Sequence, residues 1–238
     1  MLTGPERSGW VEGVWRRKAG PRENGPCLNG QAMDFEAHAL CTGPASIVCE
    51  AILEFRPLEI PGLMEVVPRK IGDERGYFSE IFREDRFREI ADVDFVQENQ
   101  SLSVDVGTVR GLHFQTEPFA QGKLVRCLSG AVFDVAVDLR RGSPHFGDWA
   151  AIELTAETGN QLWIPAGFAH GFCTLLPQSV VCYKVTSYYS REQDKGVAWD
   201  DSEIGIVWPE IADPATLSAK DRSQPRLADL PAHFSYEG

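Results

Sequence analysis

The chain has 238 residues, of which 43% are hydrophobic and 24% charged, and it carries a formal net charge of −12. This length fits one large or two small soluble domains. The acidic balance argues against a general nucleic-acid binder, which would need a basic face. It also requires any anionic ligand to be held by local basic clusters against a repulsive overall field.

Residues 1–53 are rich in Gly, Pro and Asn and show no sustained helical or strand period. They read as a disordered extension or an upstream-extended start, and their deletion is expected to leave stability nearly unchanged. The stretch 10–18 mixes Trp, Glu and Arg where a signal peptide would carry an apolar core. No apolar run approaches the roughly eighteen residues of a membrane span. A cytoplasmic protein with neither membrane nor nucleic-acid partners is expected. None of the six cysteines forms a C-x-x-C pair, and Cys127, Cys173 and Cys182 read as buried thiols.

From residue 54 to 238 one domain is expected, built of short β-rich runs separated by turns. The first runs are 58–68 and 77–82, with a turn at Asp73-Glu74-Arg75-Gly76, and a short helix follows at 83–90. Further strands are read at 109–114, 123–128, 131–139, 149–154, 162–164, 171–175 and 180–188. Many short strands at this spacing indicate a sandwich, jelly roll or barrel. Within 131–139, Phe133, Val135, Val137 and Leu139 share one face, while Val132, Asp134, Ala136 and Asp138 share the other. The mixed face points either to solvent, the commoner case, or into a wet cavity inside a barrel.

The chemistry concentrates between Arg110 and Arg126, where His113, Lys123 and two arginines fall within 17 residues. A histidine can take and return a proton near neutral pH. A lysine can stabilise a developing oxyanion, and arginine suits phosphate. The alternative is a basic strand pair with a satisfied histidine. Pro165-Ala166-Gly167-Phe168-Ala169-His170 adds a tight turn before a second histidine, a P-x-G-x-x-H pattern seen in cupin jelly rolls. Metal-binding cupins add an H-x-H and a glutamate. Here the earlier motif, His113-Phe114-Gln115, holds one histidine only, so a metal-free site is expected. Tyr183 and Tyr189 have the same parity and share a face if their strand stays regular. Leu217 to Asp221 resembles a helix start, and its Asp221 could orient His113.

Taken together, these strings resemble the dTDP-4-dehydrorhamnose 3,5-epimerase family from about residue 58 to 221. Matching segments include 72–78, 95–99, 109–115, 121–126, 132–140, 161–172 and 205–209, in the family's order. The resemblance implies an all-β, cupin-type double-stranded β-helix (jelly roll) with a few short helices, needing no cofactor and forming a homodimer that acts on a dTDP-sugar. It implies His113 as base, Asp221 as its dyad partner, Tyr183 as acid and Lys123 on the enolate oxygen. Arg75, Glu80, Gln97, Asn99 and Arg110 would hold nucleotide and diphosphate. His170 and Lys220 would make further substrate contacts, and Tyr189 would stack on thymine. Asp194 stands where a glutamate is common, and Ile71 where an aromatic residue is frequent. The implied reaction inverts C3 and C5 of dTDP-4-dehydro-6-deoxy-D-glucose. Single-centre epimerisation and non-catalytic binding of a sugar nucleotide are the alternatives.

Overall fold

The computed structural model describes residues 14–16 and 52–236. In chain order its strands begin with β1 (Val14–Arg16), β2 (Leu53–Pro57), β3 (Met64–Pro68), β4 (Ile71–Asp73) and β5 (Gly76–Phe78). Helix α1 (Glu84–Phe87) precedes β6 (Gln97–Ser103), β7 (Val109–Gln115), β8 (Lys123–Ser129), β9 (Ala131–Asp138) and β10 (Arg140–Arg141). The remainder are β11 (Trp149–Thr155), β12 (Gln161–Ile164), β13 (Phe168–Thr174), β14 (Ser179–Val185), β15 (Asp194–Gly196), α2 (Ala219–Arg222) and β16 (Phe234–Ser235).

Two six-stranded antiparallel sheets make the body, in the orders β1-β11-β9-β13-β7-β15 and β2-β3-β12-β8-β14-β6. From β6 to β9 and again from β11 to β15, successive strands alternate between the sheets, which is the jelly-roll arrangement expected. The turn at Asp73–Gly76 closes the hairpin β4–β5. The expected helix at 83–90 is shorter, a single turn at α1. β1 belongs to the N-terminal 53 residues and pairs with β11 at the edge of the first sheet. β2 begins one residue earlier than the expected domain start. The rest of the expected disordered extension lies outside the described residues.

Apolar side chains fill three layers. Val125, Val132, Ala136, Ile152, Leu154, Leu162, Phe168 and Phe172 pack between the sheets. The outer face of the first sheet, with Leu112, Phe133, Val135, Val137 and Trp149, is covered by the C-terminal segment through Ile204, Leu217 and Leu227. Trp163, on the outer face of the second sheet, is covered by Phe87 of α1 and Phe95 at edge-on ring distances of 5.1 and 6.0 Å. Both faces of β9 are therefore buried, and the mixed face carrying Asp134 points between the sheets rather than to solvent. Leu162 is fully buried in the inner layer. Leu162→Ala is expected to destabilise the fold by about 2–5 kcal/mol, read as a lower denaturant midpoint at unchanged slope.

Gly111 and Gly171 let β7 and β13 come unusually close. A Cβ on Gly111 would lie 2.6 Å from the Cα of Gly171, and one on Gly171 would lie 2.7 Å from the carbonyl oxygen of Arg110. The register between the two strands shifts at this crossing and sets His113 opposite His170.

Candidate active site

At one end of the space between the sheets lies a cavity of about 390 Å³, lined by Gln97, Asn99, His113, Phe114, Gln115, Gln121, Lys123, Tyr183, Tyr189, Asp194 and Lys220. Eight of the residues expected from the sequence meet here. His113 stands on the first sheet, whereas Lys123 and Tyr183 stand on the second, so acid–base groups reach the cavity from both walls.

His113 Nε2 lies 2.5 Å from Asp221 Oδ1. Asp221 sits in α2, where Ser218 caps the helix by accepting the Asp221 N–H at 3.1 Å. The cap fixes the helix start, and the helix start fixes the carboxylate behind the imidazole. Burial pushes the Asp221 carboxyl up, but the hydrogen bonds to His113 and Ser218 outweigh it and hold it below the usual range. With Nε2 engaged by an ionised carboxylate, Nδ1 is the ring nitrogen left to take a proton.

Lys123 is almost completely buried, and its Nζ donates to the His113 carbonyl at 3.3 Å across the gap between the sheets. Burial lowers its pKa to about 8, while the charges of Asp134 and Asp194 resist that fall. Tyr183 is half-buried, and burial raises its phenol above the usual value although Arg110 pulls the other way. It therefore keeps its proton at neutral pH and can donate it.

The mouth of the cavity is held by polar contacts. Asp194 Oδ2 accepts from Tyr189 Oη at 3.0 Å and pairs with Lys220 Nζ at 2.6 Å. Gln97 Nε2 donates to Asn99 Oδ1 at 2.8 Å, and Gln97 Oε1 accepts the Tyr189 N–H at 3.0 Å. β14 ends at Val185, so strand parity does not carry Tyr189 to the face of Tyr183. A loop delivers it instead. That loop is pinned by Gln115, which donates to the Tyr188 carbonyl and accepts the Ser190 N–H, and by Gln121, which donates to the Ser187 carbonyl. Sequence reasoning missed Gln115 and Gln121 as lining residues, although both fall in the strings 109–115 and 121–126.

Four expected residues lie elsewhere in the single chain. Arg110 is exposed on β7 and donates to Ser103 Oγ and the Leu102 carbonyl, each at 3.0 Å. His170 is buried below the cavity, and its Nε2 lies 2.9 Å from Asp134 Oδ1. Arg75 is paired to Asp73 on the exposed β4–β5 hairpin. Glu80 follows the same hairpin. Neighbouring Tyr77 and Ile81 line a separate hollow with Leu128, at the opposite end of β8 from Lys123. Among the described residues no three His, Cys, Asp or Glu side chains cluster as metal ligands. Cys127, Cys173 and Cys182 are buried free thiols, as expected. No helix among the described residues is long and apolar enough to cross a membrane.

A family profile described as dTDP-4-dehydrorhamnose 3,5-epimerase matches residues 57–229. The protein of that name from Sinorhizobium fredii is 60% identical over 183 residues, covering 76% of this chain and 93% of its own length. The Bacillus anthracis dTDP-4-dehydrorhamnose 3,5-epimerase, solved with TDP and pyrophosphate bound, superposes with a TM-score of 0.70 at 43% identity, covering 73% of this chain and 99% of its own. The Legionella pneumophila dTDP-6-deoxy-D-glucose-3,5-epimerase, in complex with dTDP-4-keto-L-rhamnose, gives 0.73 at 40% identity, covering 78% and 100%. A 3′-monoepimerase from Streptomyces bikiniensis, in complex with dTDP-quinovose, also superposes, with 0.68 at 34% identity over 72% and 87%. The profile spans well over half of the chain, and the relatives are matched over nearly their whole length. The chain thus belongs to the dTDP-4-dehydrorhamnose 3,5-epimerase family, and its jelly roll is that family's fold.

Proposed function

We propose that this protein epimerises C3 and C5 of dTDP-4-dehydro-6-deoxy-D-glucose, giving dTDP-4-dehydro-L-rhamnose. The observation that carries this reading is the His113–Asp221 pair at 2.5 Å on one wall of a cavity whose other wall holds Tyr183 and Lys123. The C4 ketone of the substrate acidifies the C–H bonds on both sides of it. His113 Nδ1 takes the proton from one of these carbons, and the electron pair moves into the ketone to form an enolate. The Lys123 ammonium stabilises the oxygen of that enolate. The Tyr183 hydroxyl then returns a proton to the opposite face, the ketone re-forms, and the centre is inverted. Reprotonation of the tyrosinate and deprotonation of His113 reset the site for the second centre. Each proton transfer contributes about 10²- to 10⁴-fold, and a preorganised cation at the oxygen about 10²- to 10³-fold. Gln97 and Asn99, with Arg110 at the far end of β6, hold the nucleotide and diphosphate, while Asp194 and Lys220 make further substrate contacts at the mouth, where Tyr189 offers its ring to the thymine. His170 acts from below the cavity.

A homodimer supports this reading further. The β4–β5 hairpin exposes Ile71, Tyr77 and Phe78 by 52%, 61% and 70%, a patch suited to burial against a second copy. Arg75 and Glu80 travel with it, and β6, which carries Gln97 and Asn99, is a sheet edge among the described residues. A hairpin docked beside the partner's β6 would bring both residues to a cavity they do not reach in their own chain. Sedimentation is expected to give twice the 26.4 kDa chain mass, and a monomer that turns over at full rate would remove Arg75 and Glu80 from their roles. The proposed location is the cytoplasm.

The test is incubation with dTDP-4-keto-6-deoxyglucose in the presence of a 4-ketoreductase specific for the L-configured product. NADPH consumption that depends on this protein is expected, and none would refute the reading. The likeness to a monoepimerase supports one second reading, inversion at a single centre, which the same mixture separates through the configuration of its product.

A further inference from the structure

Asp134 is completely buried, in the middle of β9 on the face that points between the sheets. Its Oδ1 accepts the Nε2–H of His170 at 2.9 Å, while its Oδ2 has no hydrogen-bond partner. An ionised carboxylate with one orphaned oxygen is costly in such a place unless a positive charge faces it. The buried cation nearby is Lys123, which spends a single hydrogen bond on the His113 carbonyl. The strand registers set Asp134 diagonal to His170 across β9 and β13, and His170 opposite His113, whose carbonyl accepts from Lys123.

The other charged groups around Lys123 already have partners. On β15 and α2, Asp194 and Lys220 pair with each other at 2.6 Å. On β7, His113 is matched with Asp221 of α2. Tyr183 on β14 and His170 on β13 complete the surroundings and are neutral at pH 7. Burial lowers the His170 pKa further, so its imidazole donates to Asp134 without adding charge. Asp134, fully buried and with Oδ2 unpaired, is the carboxylate left to face Lys123.

We propose that Asp134 is a positioning residue that keeps Lys123 protonated and aimed at the substrate ketone, with His170 serving to hold the carboxylate in place. This rests on the proposed function for the role of Lys123 in turnover, but the charge coupling itself does not. Asp134 is also the leading charge that opposes the loss of the Lys123 proton. Because lysine is charged below its pKa, the wild-type kcat/KM should fall as pH rises through about 8. Removing the Asp134 charge should move that fall to lower pH.

The experiment is a titration of the ligand-free protein carrying ¹³Cε-labelled lysine, in the wild type and in Asp134→Asn. The amide is nearly isosteric and can still accept from His170. A wild-type Lys123 midpoint near 8 is expected. In the variant it should drop by about one pH unit, a tenfold change in the proton equilibrium, with the alkaline limb of kcat/KM moving in parallel. A purely structural role would lower the rate at every pH and leave the Lys123 midpoint in place, and that result overturns the proposal. Should the Asn variant not fold, the reciprocal measurement remains. Lys123→Met should raise the His170 midpoint seen by ¹⁵N NMR, because a neighbouring cation is lost. An unmoved His170 would contradict the coupling. A shifted Lys123 in a protein that makes no product would instead refute the proposed reaction and leave the coupling standing.

Discussion

His113→Ala is expected to lower turnover by about 10⁴-fold, the upper range for loss of a general base, while the protein stays folded. The imidazole side chain is one-third exposed at the cavity wall and belongs to no apolar layer, so its removal leaves the core intact. The main structural consequence is that Asp221 loses its partner. Ser218 still caps the helix by accepting the Asp221 N–H, and the carboxyl can take up a proton, since burial alone pushes it in that direction. Asp221→Asn should give a smaller loss, because the amide can hold the ring but cannot stabilise the imidazolium formed when a proton is taken. Stopped assays on each variant, with circular dichroism to verify the fold, measure this. A folded His113→Ala protein with activity within about tenfold of the wild type would take the base away from His113.

Tyr183→Phe should separate two events that the wild type couples. His113 and Lys123 remain, so carbon deprotonation continues and the enolate still forms. What is lost is the acid on the second wall, and the inverted product should fall by about 10²- to 10⁴-fold. The proton held by His113 can exchange with solvent and return to the face it left. In D₂O the variant should therefore load deuterium into the substrate with retention of configuration. Burial raises the Tyr183 pKa, which keeps the wild-type phenol protonated and suited to this role. Inverted product at the wild-type rate from Tyr183→Phe would assign the acid to another group.

Much of this architecture is legible from the chain because its central strands obey simple alternation. β7, β8, β9, β11 and β12 fall within a residue or two of their expected bounds, each being an apolar or alternating run between turn residues. β6 is different. Its sequence, Gln-Glu-Asn-Gln-Ser-Leu-Ser, is polar and has little strand propensity. It forms because β14 supplies a complete antiparallel partner, from Gln97 opposite Val185 to Ser103 opposite Ser179. The second face of β9 was ambiguous for a physical reason: alternation fixes which residues share a face but not what the face meets. Only the stacking of the second sheet turns Asp134 inward.

The site follows the same division. His113, Lys123 and Tyr183 carry chemistry that residue type alone suggests, but their convergence is a long-range fact. His113 and Asp221 are 108 residues apart, and nothing in local spacing pairs them. Family resemblance is what joins them at the level of sequence, while the Ser218 cap is the one local signal that a carboxylate is being fixed there. Tyr189 reaches the cavity by a loop anchored through Gln115 and Gln121, a route that no strand period encodes. Arg75 and Glu80 are site residues by family resemblance, yet in the single chain Arg75 stands on an exposed hairpin and Glu80 just after it, away from the cavity.

The central claim is that one base and one acid, on opposite walls, invert both carbons beside a ketone. Its most direct test is NMR of dTDP-4-keto-6-deoxyglucose incubated with the protein in D₂O. Deuterium at both C3 and C5, with inverted configuration at each, is the predicted result. Incorporation at one carbon alone would make the protein a single-centre epimerase, and no incorporation at either carbon in the presence of bound nucleotide would contradict the account.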